Sequence, residues 1–302
     1  MTGRAPGTQE MTLALRVIVG YDGSPAAAAT IEAGAVLLPG AHGWITYLWV
    51  PPFASKQVRN RLWEQARNIS DLMAAEEQEG EREARRITAM GVTLARAAGW
   101  DAEPYLQRTY AAEGIAIAQT AEKLDADVVV VASRGLGGTD AVLGSVSDMV
   151  VHYCSRPVIV VPHPMLSAEY DNLPDGPVAI GWDGSAGAQA ALAAARFLFP
   201  GRPIVAVSVD HDAEALTPAG SEPGGDVTHV HIGRRRGRQT SATATAIVAA
   251  ADDHGAAVVA VGSRGRSAVR EIVLGSVAMG TLHHSHRPVM VVPSPSGPVE
   301  EP

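Results

Sequence analysis

Short apolar runs and Ala-rich stretches alternate along this chain, and the alternation happens twice. Val17–Val19 and Val178–Ile180 are too short for helices, and each run stops at a Gly-Ser turn. That pattern predicts strands buried on both faces. A serine and an Ala-rich stretch follow each time: Ser24 with Ala26–Leu38, and Ser185 with Ala188–Leu198. This is the order of a cap and its helix. Second strands are expected at Trp44–Val50 and Ile204–Val209, and third strands at Glu103–Gln107 and Val227–Ile232. Helices follow at Glu113–Leu124 and Ser241–His254, then fourth strands at Val128–Ala132 and Val258–Val261. Final helices at Ser145–Tyr153 and Ser276–His283 lead to fifth strands at Val158–Val161 and Val289–Val292.

The blocks match in detail. RVIVGYDGS at Arg16–Ser24 answers PVAIGWDGS at Pro177–Ser185, and LGSV occurs at Leu143–Val146 and again at Leu274–Val277. RPVIVVP at Arg156–Pro162 answers RPVMVVP at Arg287–Pro293. Same-order repetition marks a duplication. The expected domains are 12–163 and 176–294, joined by a linker at Met165–Gly176. The halves diverge once. Lys56–Ala98 reads as one or two amphipathic helices, whereas Asp210–Asp226 is rich in Pro and Gly, so the second domain is expected to lack that long helical stretch. Strand–helix alternation implies right-handed parallel crossovers. The fold class is therefore α/β: two tandem doubly wound open parallel five-stranded sheets, Rossmann-like (HUP-like) and related by a pseudo-twofold. Each fifth strand is short, apolar and bracketed by prolines. An unpaired apolar edge is a hazard, so Val158–Val161 and Val289–Val292 are expected to pair as an intramolecular pseudo-dimer, with room for a further homodimer.

In such sheets ligands sit beyond the carboxyl ends of the strands where strand order reverses. The strongest turn motifs follow the first and fourth strands. Gly275-Ser276 opens the last helix of the second half, where free amides and the helix dipole favour an anion. Arg264 adds a candidate charge. Asp22 and Asp183 end their first strands, and each reads evenly as a turn residue or as an acceptor for a ribose hydroxyl or adenine amino group.

These residues resemble the universal stress protein family in its tandem form. That family's ATP-binding pattern is Gly, two residues, Gly, nine residues, then Gly followed by Ser or Thr. The second half matches it from Gly262 to Ser276. The first half departs: Ala132 stands where the first glycine belongs, and only Leu136–Leu143 separate Gly135 from Gly144. The resemblance implies nucleotide contacts at Gly20, Asp22, Arg134, Gly135, Gly144, Ser145, Val146 and Ser147 in the first half. In the second half it implies Gly181, Asp183, Gly262, Arg264, Gly265, Gly275, Ser276 and Val277. The implied ligand is ATP, with or without Mg2+. The implied role is stress-response regulation with little or no turnover; a nucleotide-free interaction module and a slow ATP hydrolase are the alternatives.

Bulk properties narrow the reading further. A net charge of −8 argues against a general nucleic-acid or membrane-surface binder. No apolar run approaches the ~18 residues of a membrane span. One cysteine, Cys154, cannot form an internal disulfide, which fits the cytoplasm. Lys56 and Lys123 are the only lysines and neither sits in a Walker-type loop, so phosphate would rest on amides, Ser and Arg. Arg234–Arg236 and Arg238 read mainly as a solvated loop, and His283, His284 and His286 as a helix end rather than a metal site.

Overall fold

A computed structural model describes residues 14–49, 56–134, 143–209, 226–233, 239–264 and 274–294. The first half runs β1 (Arg16–Gly20), α1 (Pro25–Leu37), β2 (His42–Trp49), α2 (Lys56–Gln65), α3 (Ile69–Ala97), β3 (Asp101–Arg108), α4 (Glu113–Lys123), β4 (Val128–Ala132), α5 (Ser145–Tyr153) and β5 (Val158–Val161). A short α6 (Ser167–Asp171) leads to β6 (Val178–Gly181), α7 (Ala186–Leu198), β7 (Ile204–Val209), β8 (Val227–Ile232), α8 (Gln239–Asp253), β9 (Val258–Gly262), α9 (Ser276–His284) and β10 (Val289–Val292).

The strands form one ten-stranded sheet in the order β3-β2-β1-β4-β5-β10-β9-β6-β7-β8. Within each half every pairing is parallel. At the centre β5 and β10 pair antiparallel, with Val160 opposite Val289 and Ile159 opposite Met290. The two apolar edges thus cover each other, and the two halves are related by a pseudo-twofold through that seam. Because the seam reverses direction, the carboxyl ends of β1 and β4 and those of β6 and β9 lie on opposite edges of the sheet.

Hydrophobic side chains bury both faces. One apolar layer runs unbroken from Val17, Val19 and Ile31 across Ile159 and Met290 to Ile180 and Leu198. The opposite face of the first half joins Ile117, Val129 and Val160 to Ala278, Leu282 and Val291 of the second. Helices α1, α3 and α7 line the first layer, and α4, α5, α8 and α9 the other. Trp100 locks the first layer: its Nε1 donates to the Leu38 carbonyl at 2.8 Å, and its ring packs where side chains on Gly34 and Gly43 would stand.

The structure refines several boundaries. The Lys56–Ala98 stretch is two helices, separated where Asn68 caps α3 by accepting from the Asp71 amide at 2.9 Å. The third strand of the first half is longer than expected, Asp101–Arg108. The Met165–Gly176 connection contains α6 and is stitched down: Leu173 is fully buried, and Arg202 donates to the carbonyls of Leu173 and Gly176 at 2.8 and 3.1 Å. Residues 210–225, where the missing helical stretch was inferred, lie outside the described residues.

Each RPV block has a structural reason. Arg287 is buried and donates to Asp252 and to the Ala256 carbonyl, both at 2.7 Å. Arg156 meets Asp125 at 2.8 Å in the first half. In both halves this arginine ties the last strand to the turn before the fourth.

Candidate functional site

Each half carries the strand order 3-2-1-4-5, so strand order reverses between β1 and β4, and between β6 and β9. The crevice of a doubly wound sheet lies at that point, outside the carboxyl ends.

Four features build each crevice. First, the aspartate after the first strand makes a turn. Asp22 Oδ1 accepts from the Ser24 amide at 2.9 Å, and Asp183 Oδ1 accepts from Ser185 at 2.9 Å. The serines then cap their helices, accepting from Ala27 and Ala188 at 3.1 and 3.2 Å. One oxygen of each aspartate therefore serves the turn, and the turn reading of Asp22 and Asp183 describes that oxygen.

Second, the glycine before the last helix is drawn over the end of the fourth strand. The Gly144 amide donates to the Ser133 carbonyl at 2.7 Å, and Gly275 donates to Ser263 at 2.7 Å. Gly144 and Gly275 are the N-cap residues of α5 and α9, both extended, and neither offers a side-chain acceptor. The first amides of these helices, at Ser145, Val146 and Ser147 and at Ser276 and Val277, are the uncapped donors that an anion satisfies. A side chain on Gly275 would press on the Ser263 carbonyl, 3.1 Å from its Cβ position.

Third, the strand-end glycines Gly20 and Gly181 admit an isoleucine from the helix below. A Cβ on Gly20 would stand 3.4 Å from Ile117 Cδ1, and one on Gly181 would stand 3.0 Å from Ile247 Cδ1. Their structural role is packing.

Fourth, the first motif glycine answers a close backbone approach. A Cβ on Gly262 would lie 2.5 Å from the Gly187 carbonyl carbon, and one on Gly187 would lie 2.1 Å from the Arg264 carbonyl oxygen. In the repeat, Ala132 and Ala26 hold these two positions, both buried. The departure at Ala132 is therefore paired with a second departure at Ala26.

Two expected contacts are engaged elsewhere. Ser147 is buried and its hydroxyl donates to the Ala132 carbonyl at 2.7 Å. Arg264 donates from Nη2 to the Ser294 carbonyl at 3.3 Å and from its amide to Ser294 Oγ at 3.2 Å. Arg134 is exposed. Gly135, Gly265 and the arginines at 234–238 lie outside the described residues.

One residue escaped the sequence reading. Glu113 opens α4, and burial together with the nearby Asp22 charge pushes its carboxyl above the usual range. The Tyr47 hydroxyl is pushed up by burial first and then by Glu113, Glu83 and Asp22, so these groups share one neighbourhood. Aligning the halves would have exposed it, since Thr243 takes the place of Glu113 in the second half.

Other candidates fall into structural roles. Burial pushes the Cys154 thiol up to about 11, so it is protonated at neutral pH. His283 and His284 occupy the last turn of α9. Among the described residues no three His, Cys, Asp or Glu side chains converge as a metal site. No helix among them is long and apolar enough to cross a membrane.

Comparison with known proteins agrees with this plan. The crystal structure of a universal stress protein from Archaeoglobus fulgidus superposes with a TM-score of 0.62 at 19% identity, covering 92% of this chain and 96% of that one. A universal stress protein from Archaeoglobus fulgidus in complex with dAMP matches 48% of this chain and 96% of its own, at 19% identity and a TM-score of 0.35. Universal stress protein PHOS34 of Arabidopsis thaliana is 49% identical over 47 residues, which span 14% of this chain and only 18% of that protein. The model of the universal stress protein family matches residues 15–162 and 212–293, most of the chain, and the protein belongs to that family.

Proposed function

We propose that the protein binds adenine nucleotide, with ATP as the principal ligand, at the crevices of two domains spanning 12–163 and 176–294, and acts as a cytoplasmic stress regulator with little turnover. The observation that carries this reading is the pair of glycine N-caps, Gly144 and Gly275, each held over the end of a fourth strand by a 2.7 Å amide bond. The uncapped amides behind them suit a phosphate, which the helix dipole further favours. Asp22 and Asp183 stand at the other side of the switch point, where a carboxylate suits a nucleoside hydroxyl or amino group. Gly20, Gly181 and Gly262 let the surrounding elements close around that position.

Low turnover follows from what phosphoryl transfer requires: charge stabilisation and a metal held by placed acidic groups. Mg2+ would arrive with the nucleotide. Arg264, the candidate cation of the second half, is engaged with Ser294.

The test is calorimetry with ATP, alongside mass spectrometry of ligand released from the purified protein and its stoichiometry per chain. Binding that falls at least tenfold in Gly275→Val, through loss of the second cradle, supports the reading. Absence of bound nucleotide, with no heat from ATP, ADP or AMP, overturns it in favour of an interaction module.

A further inference from the structure

The two crevices share one scaffold and differ in charge. In the first half α4 and α5 meet at their first turns. A Cβ on Gly114 would fall 2.5 Å from both Met149 Cβ and the Val146 carbonyl oxygen. One turn along α4, Ile117 reaches the end of β1 beneath Gly20. Glu113, next to Gly114, therefore lies at the contact of α4 with α5, and its carboxyl shares the neighbourhood of Asp22 after β1. A second acid, Asp148, lies in the first turn of α5, 3.5 Å from His152 Nδ1.

The second half keeps the geometry. Ile247 reaches the end of β6 beneath Gly181, and a Cβ on Gly280 of α9 would fall 2.7 Å from Ala244 Cβ of α8. Even the small residue that permits the contact has only moved across the interface, from Gly114 on α4 to Gly280 on α9. The acids have not been kept. Thr243 and Met279 stand at the positions of Glu113 and Asp148, and neither α8 nor α9 has an acid in its first turn.

We propose that Glu113 is a specificity-determining residue that sets the first crevice against highly charged phosphate chains. The first half then prefers a nucleoside monophosphate, while the second half accepts the triphosphate. This rests on the reading that both crevices hold adenine nucleotide. The charged and titratable groups around this crevice are Asp22 after β1, Tyr47 on β2, Glu83 on α3, Asp148 with its partner His152 on α5, and the exposed Arg134 after β4. Arg86 pairs Glu83 at 2.6 Å, so Asp22 is the acid whose charge adds directly to that of Glu113. Each further negative charge on a ligand meets this field at short range, where water screens it only in part. The second crevice presents Asp183 without acids at the helix ends.

Calorimetry on the full chain with AMP and with ATP, in magnesium-free buffer, tests this. Gly275→Val isolates the first crevice and Gly144→Val the second, with circular dichroism confirming that both variants fold. The first crevice is expected to favour AMP over ATP by a factor about tenfold larger than the second does. Adding Glu113→Gln to Gly275→Val should shrink that preference several-fold. Raised salt should shrink it too in the parent background, because the effect is electrostatic. Equal AMP-to-ATP ratios at the two crevices overturn the inference while leaving nucleotide binding intact, as does a ratio unmoved by Glu113→Gln. Binding of neither nucleotide by the unaltered chain overturns the nucleotide reading itself, and this inference with it.

Discussion

Gly262 and Ala132 stand at one position of the repeat and live under different constraints. Gly262 lies under the backbone of Gly187, with no room for a methyl group. In the first half Ala132 and Ala26 hold the corresponding two positions, and both are buried with their methyl groups in place. Gly262→Ala forces backbone against side chain, an overpacking that costs about 1–3 kcal/mol. Ala132→Gly loses one buried methyl and gains chain entropy when unfolded, which costs about 1 kcal/mol. Thermal melts should therefore show the larger loss for Gly262→Ala. Equal losses would mean that α7 shifts freely and that the glycine is not set by packing. The first motif glycine thus has a structural explanation independent of any ligand, and the proposed anion site rests on Gly144, Gly275 and the amides behind them.

Among the elements, the start of α4 carries a conflict that stability measurements can read. An acid in the first turn of a helix is ordinarily favoured by the dipole. At Glu113, burial and the Asp22 charge outweigh that gain and raise the carboxyl's pKa above its ordinary value of 4.5. A carboxyl raised in the folded state stabilises the fold while protonated. That contribution is full below the unfolded value and is lost as pH rises through the folded one. Glu113→Gln should therefore melt higher than the parent at pH 7, with the difference vanishing below about pH 4.5. A variant that melts lower at pH 7 would show that the dipole wins. Repetition made the elements legible in the chain: β4, β5, β7, β8 and β10 lie where the apolar runs placed them, and Ser24 and Ser185 cap as their positions implied. What stayed hidden depended on contacts between distant segments. The break at Asn68 is a polar cap inside a continuous amphipathic pattern, and α6 is a single turn inside a Pro-bounded connection. The Gly187–Gly262 contact and the Glu113–Asp22 neighbourhood join residues far apart in sequence, and nothing in local periodicity encodes them.

At the scale of the molecule, the β5–β10 seam makes one sheet out of two repeats and turns their crevices to opposite edges. Crevices on opposite edges cannot share one ligand, and the seam is the strand pairing that joins the two halves. Both apolar layers cross it, since Ile159 and Met290 are fully buried on one face while Val160 and Val289 belong to the other. A half on its own would expose β5 along its whole apolar edge, which favours pairing with another strand. Residues 12–163 expressed alone should accordingly dimerise through antiparallel β5 strands, in the register that β5 and β10 use in the intact chain. Val160→Lys in that fragment would bring two like charges toward a buried ladder and should return it to monomer, at a cost of several kcal/mol to the dimer. Sedimentation of both fragments separates the outcomes. A stable, folded monomer of the unaltered fragment would show that the edge needs no cover, and that the duplication did not arise by fusing an interface the single domain already required.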